Sequence, residues 1–295
     1  MGRQLSSRGN PEAGVTRDFI QEDLLSWIAP RLRELPWRAV RDPWAILVSE
    51  VMSQQTGVAR VIPKWETFVA TYPTPASLAA APLGDVLRLW QGLGYPRRAR
   101  NLQSAARVIT ESHDGRLPDT LEDLLALPGV GPYTARAVLA FAFEADAAVV
   151  DTNVARVLAR LTGRRLTARE AQDEADRLVP EGEAWIWNQA LMDLGATVCR
   201  PQPQCDECPL LDRCTWRGRG SDPSVGSAGV SSRQPRFEGS DRQARGRLLR
   251  RLGEGSVTRS DVAEVMDRDV DTASRLVVDL LAEGLIRAEG DSLML

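Results

Sequence analysis

All four cysteines of the chain lie within sixteen residues, as Cys199, Cys205, Cys208 and Cys214. Their spacing, C-x5-C-x2-C-x5-C, predicts a shared inorganic site, because thiolates are soft ligands that suit zinc and iron. Zinc modules usually contain two C-x2-C pairs joined by a longer loop, whereas this segment has one such pair between two wider gaps. The pattern therefore favours a 4Fe-4S cluster over structural zinc. Disulfides come third, because a cytosolic chain keeps its thiols reduced.

Carboxylates are the acid–base groups that this chain offers. The single histidine, His113, lies in the loop-like segment ESHDG, which argues against a Ser/His/Asp hydrolase. Glu50 borders an apolar band in WAILVSEVMSQQTGV, where burial would raise its pKa and make it a proton donor near neutral pH. Asp151 precedes NVARVLARL, where it could simply cap a helix. Glu50 could likewise be a solvated helix residue, but two carboxylates with different roles also cleave glycosidic bonds.

The segment LPGVGPYTA, residues 127–135, joins the helix-like LEDLLAL to the helix-like TARAVLAF. Gly129 and Gly131 allow a tight turn, and the N–H groups at the start of the next helix point outward with a positive dipole. This geometry suits an anion such as a DNA phosphate. The alternative is an ordinary glycine-containing turn between two helices.

The elements around these groups are helical, so the sequence predicts an all-α fold. Apolar residues recur at spacings of three and four between residues 17 and 217, in FIQEDLLSWIAPRL, WAILVSEVMSQQTGVARVI, LGDVLRLWQGL, RNLQSAARVIT, TARAVLAFAF, NVARVLARL and AWIWNQALMDLGATV. No alternating strand pattern interrupts them. We therefore expect a disordered N-terminus over residues 1–16, a helical domain over 17–217 and a flexible Gly/Ser/Pro-rich linker over 218–240.

Residues 241–295, here called the C-terminal module, contain three helical patterns followed by a short hairpin that turns at Glu289-Gly290-Asp291. This order predicts a winged-helix-like unit. A DNA-reading version should carry positive charge on its third helix, but that segment, DTASRLVVDLLAEGL, has Arg275 as its only base. The module holds nine arginines against eleven acids. We therefore predict packing or protein-partner binding for it, rather than DNA reading.

Length and composition set broad bounds. The chain has 295 residues, of which 43% are hydrophobic, and a formal net charge of −3. It can therefore bury a sizeable core. No apolar run approaches the twenty residues of a membrane span, and the N-terminal residues lack the apolar core of a signal peptide. We expect a cytoplasmic protein.

Several strings occur in combination: LPWR (35–38), SEVMSQQTGVARVIP (49–63), WQGLGY (90–95), ARNL (99–102), LPGVGPYTA, VDTNVARVLAR, NQALMDLGATVC and the cysteine loop. Together they resemble the MutY-type adenine DNA glycosylases, of the helix-hairpin-helix, iron-sulfur branch that includes endonuclease III. The resemblance covers about residues 18–217. It implies a glycosylase fold, a 4Fe-4S cofactor and base excision repair of double-stranded DNA. The substrate would be adenine paired with 8-oxoguanine or guanine, flipped out of the duplex.

The resemblance also implies roles for individual residues. Glu50 would protonate the adenine, and Asp151 would stabilise the sugar cation or form a transient covalent adduct. Other implied roles are positioning of these carboxylates (Tyr133, Asn153), lining the adenine pocket (Trp37, Arg38, Gln189), insertion around the opposing base (Gln55, Thr56, Leu93, Tyr95), phosphate binding (Gly129, Gly131) and cluster ligation (Cys199, Cys205, Cys208, Cys214). As alternatives, Trp37 and Leu93 could be core residues and Gln189 a residue of a helix surface.

Two departures from relatives affect the expected chemistry. Endonuclease III relatives carry a lysine in the hairpin that forms a Schiff base, whereas this chain has Tyr133, which implies a monofunctional glycosylase. Nothing after the cysteine loop resembles the Nudix-like domain of many relatives, and FEGSDRQ (237–243) resembles the short tail of actinobacterial ones.

We expect a monomer located at the nucleoid. Two other functions remain open: a glycosylase for damaged or mismatched pyrimidines, and a non-catalytic iron-sulfur DNA-binding module.

Overall fold

The computed structural model describes residues 11–230 and 236–295, with fourteen α-helices and one small sheet in these ranges. The helices are α1 (Pro11–Ile28), α2 (Pro43–Ser53), α3 (Val58–Thr71), α4 (Pro75–Ala80), α5 (Leu83–Trp90), α6 (Arg97–Ser112), α7 (Leu121–Ala126), α8 (Pro132–Ala142), α9 (Thr152–Thr162), α10 (Ala168–Leu178), α11 (Ala184–Thr197), α12 (Asp241–Glu254), α13 (Val262–Met266) and α14 (Val270–Ala282). The chain forms two compact units, each made of two stretches of sequence. The first unit contains residues up to 34 together with 136–232, and the second contains 35–135 together with 233–295.

The first unit is built around α9 and α11, which pack on each other, with α1 against α11 and α10 against α9. Its core contains Leu24, Leu158, Trp187 and Leu194, and three side chains of the cysteine loop pack against this core, namely Cys199, Cys208 and Cys214. Arg33, which follows α1, forms an ion pair at 2.5 Å with the buried carboxylate of Asp193 on α11. The cysteine loop is therefore attached to the hydrophobic core of this unit.

The second unit packs α2 on α3 and places both α4 and α5 against α6. Pro43 begins α2, and the side chain of Asp42 caps that helix by accepting from the backbone N–H of Trp44. Phe68 and Trp90 meet edge to face in the core, with ring centroids 5.9 Å apart. These contacts fix α2, which carries Glu50, and α5, which precedes the turn at residues 92–95.

The C-terminal module belongs to the second unit and has the predicted winged-helix-like order. Three short antiparallel strands, β1 (Val257–Thr258), β2 (Arg287–Glu289) and β3 (Ser292–Met294), form a sheet in the order β1-β3-β2. The hairpin turns at Gly290 and Asp291, as expected, because Glu289 pairs with Ser292 and Gly290 has a φ of +59°. Helix α12 packs against α13 and against α5. The module is therefore attached to the helix that leads into the turn at residues 92–95.

Several predicted boundaries differ from the structure. The single helix predicted over residues 44–62 is wrong, because α2 ends at Ser53 and α3 begins at Val58. The break contains Gln55, whose φ of +54° is incompatible with a continuous right-handed helix. The predicted set also omits α10, although Thr167 and Glu170 form a capping box at its start.

Two segments predicted to be flexible are ordered in part. Residues 11–16 belong to α1 instead of a disordered N-terminus, while residues 1–10 lie outside the described ranges. The flexible linker predicted over 218–240 is wrong for residues 218–230. There Ser224 and Ser227 are buried, and the side chain of Ser227 accepts from the backbone N–H of Leu166 at 3.2 Å. Residues 231–235 lie outside the described ranges. Within the described ranges, no helix combines the length and apolarity needed to cross a membrane.

Asp222 is the strongest tether of the 218–230 segment, because its carboxylate pairs with the buried Arg160 guanidinium at 2.6 Å. Asp222→Asn should lower the free energy of unfolding by about 2 to 4 kcal/mol, since the guanidinium would stay buried without a carboxylate. Asp173→Asn is the matched control, because Asp173 pairs with Arg169 at 3.8 Å on the exposed surface. Chemical denaturation should show a loss below about 1 kcal/mol for that control. Equal losses in the two variants would contradict the assignment.

The same ion pair predicts a pH dependence. Desolvation by burial acts to raise the pKa of Asp222, but hydrogen bonds from Arg160 and Ser224 outweigh it and lower the pKa. A lowered folded-state pKa contributes stability that is present above the unfolded value, about 3.9, and is lost as pH falls through the folded value. The stability difference between wild type and Asp222→Asn should therefore hold above about pH 5 and shrink below about pH 4.

Candidate active site

Glu50 lies in the second unit, on α2, and is only 6% exposed. The phenolic Oη of Tyr133, in the first turn of α8, donates a hydrogen bond to Oε2 of Glu50 at 2.8 Å. Next to this pair, Nε2 of Gln54 donates to the hydroxyl of the buried Thr134 at 3.2 Å. The hairpin that was singled out for phosphate binding is thereby joined to the helix that carries the candidate proton donor.

Asp151 lies in the first unit and caps α9, as one reading of the sequence predicted. Its Oδ1 accepts from the backbone N–H groups of Asn153 and Val154, at 2.9 and 2.7 Å, and its Oδ2 accepts from the side-chain amide of Asn153 at 3.0 Å. Burial raises the pKa of Asp151, although these hydrogen bonds act to lower it. The carboxylate is therefore held in one orientation in a half-buried position, where its interaction with a nearby positive charge is stronger than in bulk water.

A chain of hydrogen bonds runs from Asp151 to the cysteine loop. Asn153 accepts through Oδ1 from Arg156 at 2.7 Å, and Arg156 also donates to the carbonyls of Cys199 and Gly195, at 2.7 and 2.6 Å. Gly195 permits this close packing, because an added Cβ would lie 2.6 Å from the Cβ of Asn153. The orientation of Asn153 is therefore set by the start of the cysteine loop.

The four cysteines line one cavity that is partly open to solvent, together with Arg160 and Trp216. All four are free thiols, so the disulfide alternative is not supported. Burial raises the pKa of the Cys199 thiol and raises that of Cys208 to about 11. A bound metal cation would favour the thiolate forms. Among the described residues, no group of three His, Cys, Asp or Glu side chains is arranged to hold a single metal ion.

Arg160 organises the backbone around this cavity. It is 1% exposed, and its guanidinium lies over the Trp216 ring at 4.6 Å. It donates to the carbonyl of Arg200 at 2.7 Å and to Sγ of Cys199 at 3.3 Å. The fit for a cluster is therefore good: four soft donors share one cavity, and an N–H group already points at one of the sulfurs.

The hairpin has the geometry that its glycines predicted. Gly129 has a φ of +79°, and an added Cβ there would lie 2.7 Å from the Cβ of Asn101, so only glycine fits. An added Cβ at Gly131 would meet nothing within 4 Å, which leaves the backbone at the start of α8 open to a ligand. Both features suit close approach of a phosphate, while no phosphate contact is needed to explain the turn itself.

Two turns that the resemblance placed around the opposing base lie side by side. They are the QQTG turn (residues 54–57) and the GLGY turn (residues 92–95), and the hydroxyl of Thr56 donates to the carbonyl of Leu93 at 3.1 Å. Gln55 is exposed, while Thr56 and Tyr95 are half-buried. Leu93 is only 2% exposed, so in this structure it is a core residue, as its alternative reading stated.

Arg98 holds these turns together, and sequence reasoning missed it. Its Nη1 donates to the carbonyl of Gln54 at 2.6 Å, and its Nη2 donates to the hydroxyl of Thr56 and the carbonyl of Gly94, at 3.0 and 3.1 Å. Burial lowers the pKa of Arg98 to about 10, so it stays protonated at neutral pH. The only sequence signal was its position between the GLGY turn and ARNL. Arg156 and Arg160 were missed for a similar reason, since they read as ordinary polar positions of an amphipathic helix.

The three residues predicted to line the adenine pocket are buried. Trp37 is 9% exposed, and its ring meets that of Trp65 edge to face at 5.9 Å, while Arg38 is 8% exposed. Both belong to the second unit, whereas Gln189, 5% exposed on α11, belongs to the first. Gln189 is therefore not a surface residue, and its role stays a prediction.

Comparisons with known proteins identify the family of the chain. Residues 48–181 match the family model described as HhH-GPD superfamily base excision DNA repair protein. The chain is 45% identical to the adenine DNA glycosylase of Mycobacterium tuberculosis, over 94% of this chain and 93% of the relative. It is 42% identical to the adenine DNA glycosylase of Homo sapiens, over 73% of this chain and 42% of that longer protein.

Solved structures show the same fold. A thermostable thymine-DNA glycosylase superposes with a TM-score of 0.67 at 31% identity, covering 70% of this chain and 98% of that one. Endonuclease III, in a trapped covalent intermediate with DNA, superposes with a TM-score of 0.61 at 30% identity, covering 68% of this chain and 97% of that one. The predicted fold class is confirmed, and this chain belongs to the adenine DNA glycosylase family of the HhH-GPD superfamily of base excision repair proteins.

Proposed function

We propose that this protein is a monofunctional adenine DNA glycosylase that removes adenine paired with 8-oxoguanine or guanine in double-stranded DNA. The observation that carries this proposal is the buried Glu50 carboxyl, hydrogen-bonded at 2.8 Å to Tyr133 of the hairpin, in a chain 45% identical to a named adenine DNA glycosylase. Such a protein would act on the chromosome, so its expected location is the cytoplasm, at the nucleoid.

In the proposed reaction, Glu50 donates a proton to the adenine, because the unprotonated base is a poor leaving group. Positive charge then develops on the deoxyribose, and Asp151 stabilises it through space or bonds to the sugar transiently. The hydrogen bonds from Asn153 and Val154 keep the carboxylate in place without protonating it. Tyr133 holds Glu50 in place by donating a hydrogen bond to it. A water molecule then adds to the sugar carbon that has lost the adenine, which leaves an abasic site.

The lysine content supports a monofunctional enzyme. Lys64 is the only lysine of the sequence; it lies outside the hairpin segment, on α3, and its ammonium group donates to the carbonyl of Leu89 at 3.1 Å. A Schiff base with the abasic sugar needs a free amine beside the sugar. Tyr133 occupies the hairpin position and cannot supply one, so strand cleavage is not expected.

The cysteine loop is proposed to hold a 4Fe-4S cluster through Cys199, Cys205, Cys208 and Cys214. When bound, such a cluster would fix the loop and could carry electrons. The residues of the chain itself do the rest: Arg160 ties the loop backbone to α9, and Arg156 ties it to Asn153. We propose that the cluster is a scaffold for the chemistry performed by Glu50 and Asp151.

The substrate assignment predicts the outcome of an excision assay. Duplexes that carry A:8-oxoguanine, A:G, T:G or thymine glycol would be incubated with the protein and then treated with or without alkali. Adenine should be released from the first two, and strand breaks should appear only after alkali, because no amine forms a Schiff base. Excision of thymine instead would favour the pyrimidine alternative, and breaks without alkali would refute the monofunctional assignment.

The proton-donor role of Glu50 predicts that Glu50→Gln lowers the single-turnover rate of adenine excision by at least ~100-fold, since the amide cannot donate an acidic proton. Affinity for the same duplex should stay within about threefold, because the shape of the side chain is kept. Tyr133→Phe is the companion variant, which removes the hydrogen bond but keeps the acid, and it should cost less. Substantial residual activity in Glu50→Gln would refute the assignment.

The cluster assignment predicts a brown protein that absorbs at about 400 nm, whereas zinc would leave it colourless. Cys205→Ser should lower the iron content measured per protein chain, because one of four thiolates is lost. Ser227→Ala, in the same unit but outside the cavity, serves as the control. A colourless wild type containing zinc would replace the cluster with a structural zinc site.

A further inference from the structure

The C-terminal module is fixed to the part of the second unit that carries the GLGY turn. Arg88 of α5 donates to the carbonyl of Gly253 at 3.0 Å, and Arg97 of α6 pairs with Glu283 at 3.3 Å. Arg100 of α6 also donates to the backbone carbonyl of Glu283. The GLGY turn is the short connection between α5 and α6, so the module grips the helices on both sides of it.

The GLGY turn needs such support. Gly92 and Gly94 have φ values of +93° and +72°, which cost little for glycine, but Tyr95 has a φ of +49°. A side chain with a Cβ is rarely held in this region without help from its surroundings. Arg98 supplies part of that help, because its guanidinium lies over the Tyr95 ring at 5.3 Å.

The module supplies a second contact to the same side chain. Arg242, in the first turn of α12, donates from Nη1 to the hydroxyl of Tyr95 at 3.1 Å. Its guanidinium also lies over the exposed ring of Phe237 at 5.9 Å. The Tyr95 ring is thus held at its face by Arg98 and at its hydroxyl by a residue 147 positions later in the chain.

The module does not have the charge of a DNA reader. The position of a reading helix is taken by α14, whose Arg275 pairs with Asp241 at 2.7 Å and with Asp279 at 3.6 Å. The exposed surface of α14 also carries Asp271 and the apolar Val278. Phosphate would be repelled by such a face. An influence of the module on DNA recognition must therefore pass through the residues that it holds.

We propose that Arg242 is a positioning residue for Tyr95, and that the C-terminal module thereby sets how well the enzyme distinguishes the base opposite adenine. This inference rests on the proposed function and on the place around the opposing base that the family resemblance implies for Tyr95. A tyrosine ring held at both its face and its hydroxyl has one fixed position, so it fits 8-oxoguanine and guanine unequally. A loosely held ring can move to fit either base. The module then acts as a specificity element without touching DNA.

The test is the ratio of single-turnover adenine excision rates on A:8-oxoguanine and A:G duplexes, measured with the full chain. Arg242→Ala and Tyr95→Phe should each lower this ratio by roughly 3- to 10-fold, because either change removes the same charge-assisted hydrogen bond. The double variant should lose no more than either single one, since the interaction is already gone. Arg250→Ala, on an exposed position of the same helix, should leave the ratio unchanged.

The two single variants, Arg242→Ala and Tyr95→Phe, separate a loss of specificity from a loss of folding. Tyr95→Phe keeps the ring and leaves the module untouched, so an unchanged ratio in that variant would overturn the inference even if Arg242→Ala unfolds. Losses that multiply in the double variant would also overturn it, because they would show independent roles. Failure of the proposed function would look different, as the wild type itself would release no adenine from either duplex.

Discussion

The burial of two arginines on α9 is the constraint on which the first unit depends. Arg156 and Arg160 lie one turn apart, at 7% and 1% exposure, and a guanidinium in such a place is costly unless all its donors find acceptors. They find them in the backbone carbonyls of the cysteine loop and in the carboxylate of Asp222. The helix that Asp151 caps, the loop that contains the cysteines and the 218–230 segment are therefore joined through these two side chains.

This arrangement explains why Asp151 can be both a helix cap and a candidate catalytic group. A cap needs only a carboxylate that faces the first N–H groups of the helix. Asp151 has in addition the Asn153 amide, whose own orientation is set by Arg156 and thus by the carbonyl of Cys199. Asp151 is half-buried, and the burial that it has raises its pKa, which would not be expected of a fully exposed cap. The local sequence predicts the cap, whereas the shielding comes from distant residues.

The difference between local and distant determinants also explains what the sequence could predict. The helical nature of the fold and the C-terminal hairpin at Gly290 follow from short patterns. The resemblance implied that Tyr133 helps to position the carboxylates, but which carboxylate it contacts, Glu50, came from the structure. The break at Gln55 was missed, because the apolar spacing runs through it while Arg98, 43 positions later, binds the freed carbonyl of Gln54. The 218–230 segment was misread as flexible, because its composition is that of a linker and its tether, Arg160, lies far away in the chain.

Arginine therefore has a structural role in this protein that its abundance did not reveal. Arg98 donates to carbonyls of both turns, and Arg160 donates to carbonyls, a sulfur and a carboxylate at once. A guanidinium can do this because it carries five donors in a rigid plane, whereas the ammonium group of lysine is a compact point charge. In both units, an arginine withdrawn from the surface binds irregular backbone next to a residue with a proposed role: the buried Arg160 in the first unit and the half-buried Arg98 in the second. The net charge of −3 is then a poor guide to function. It counts arginines such as Arg98, Arg156 and Arg160, whose guanidinium groups bind the protein's own backbone.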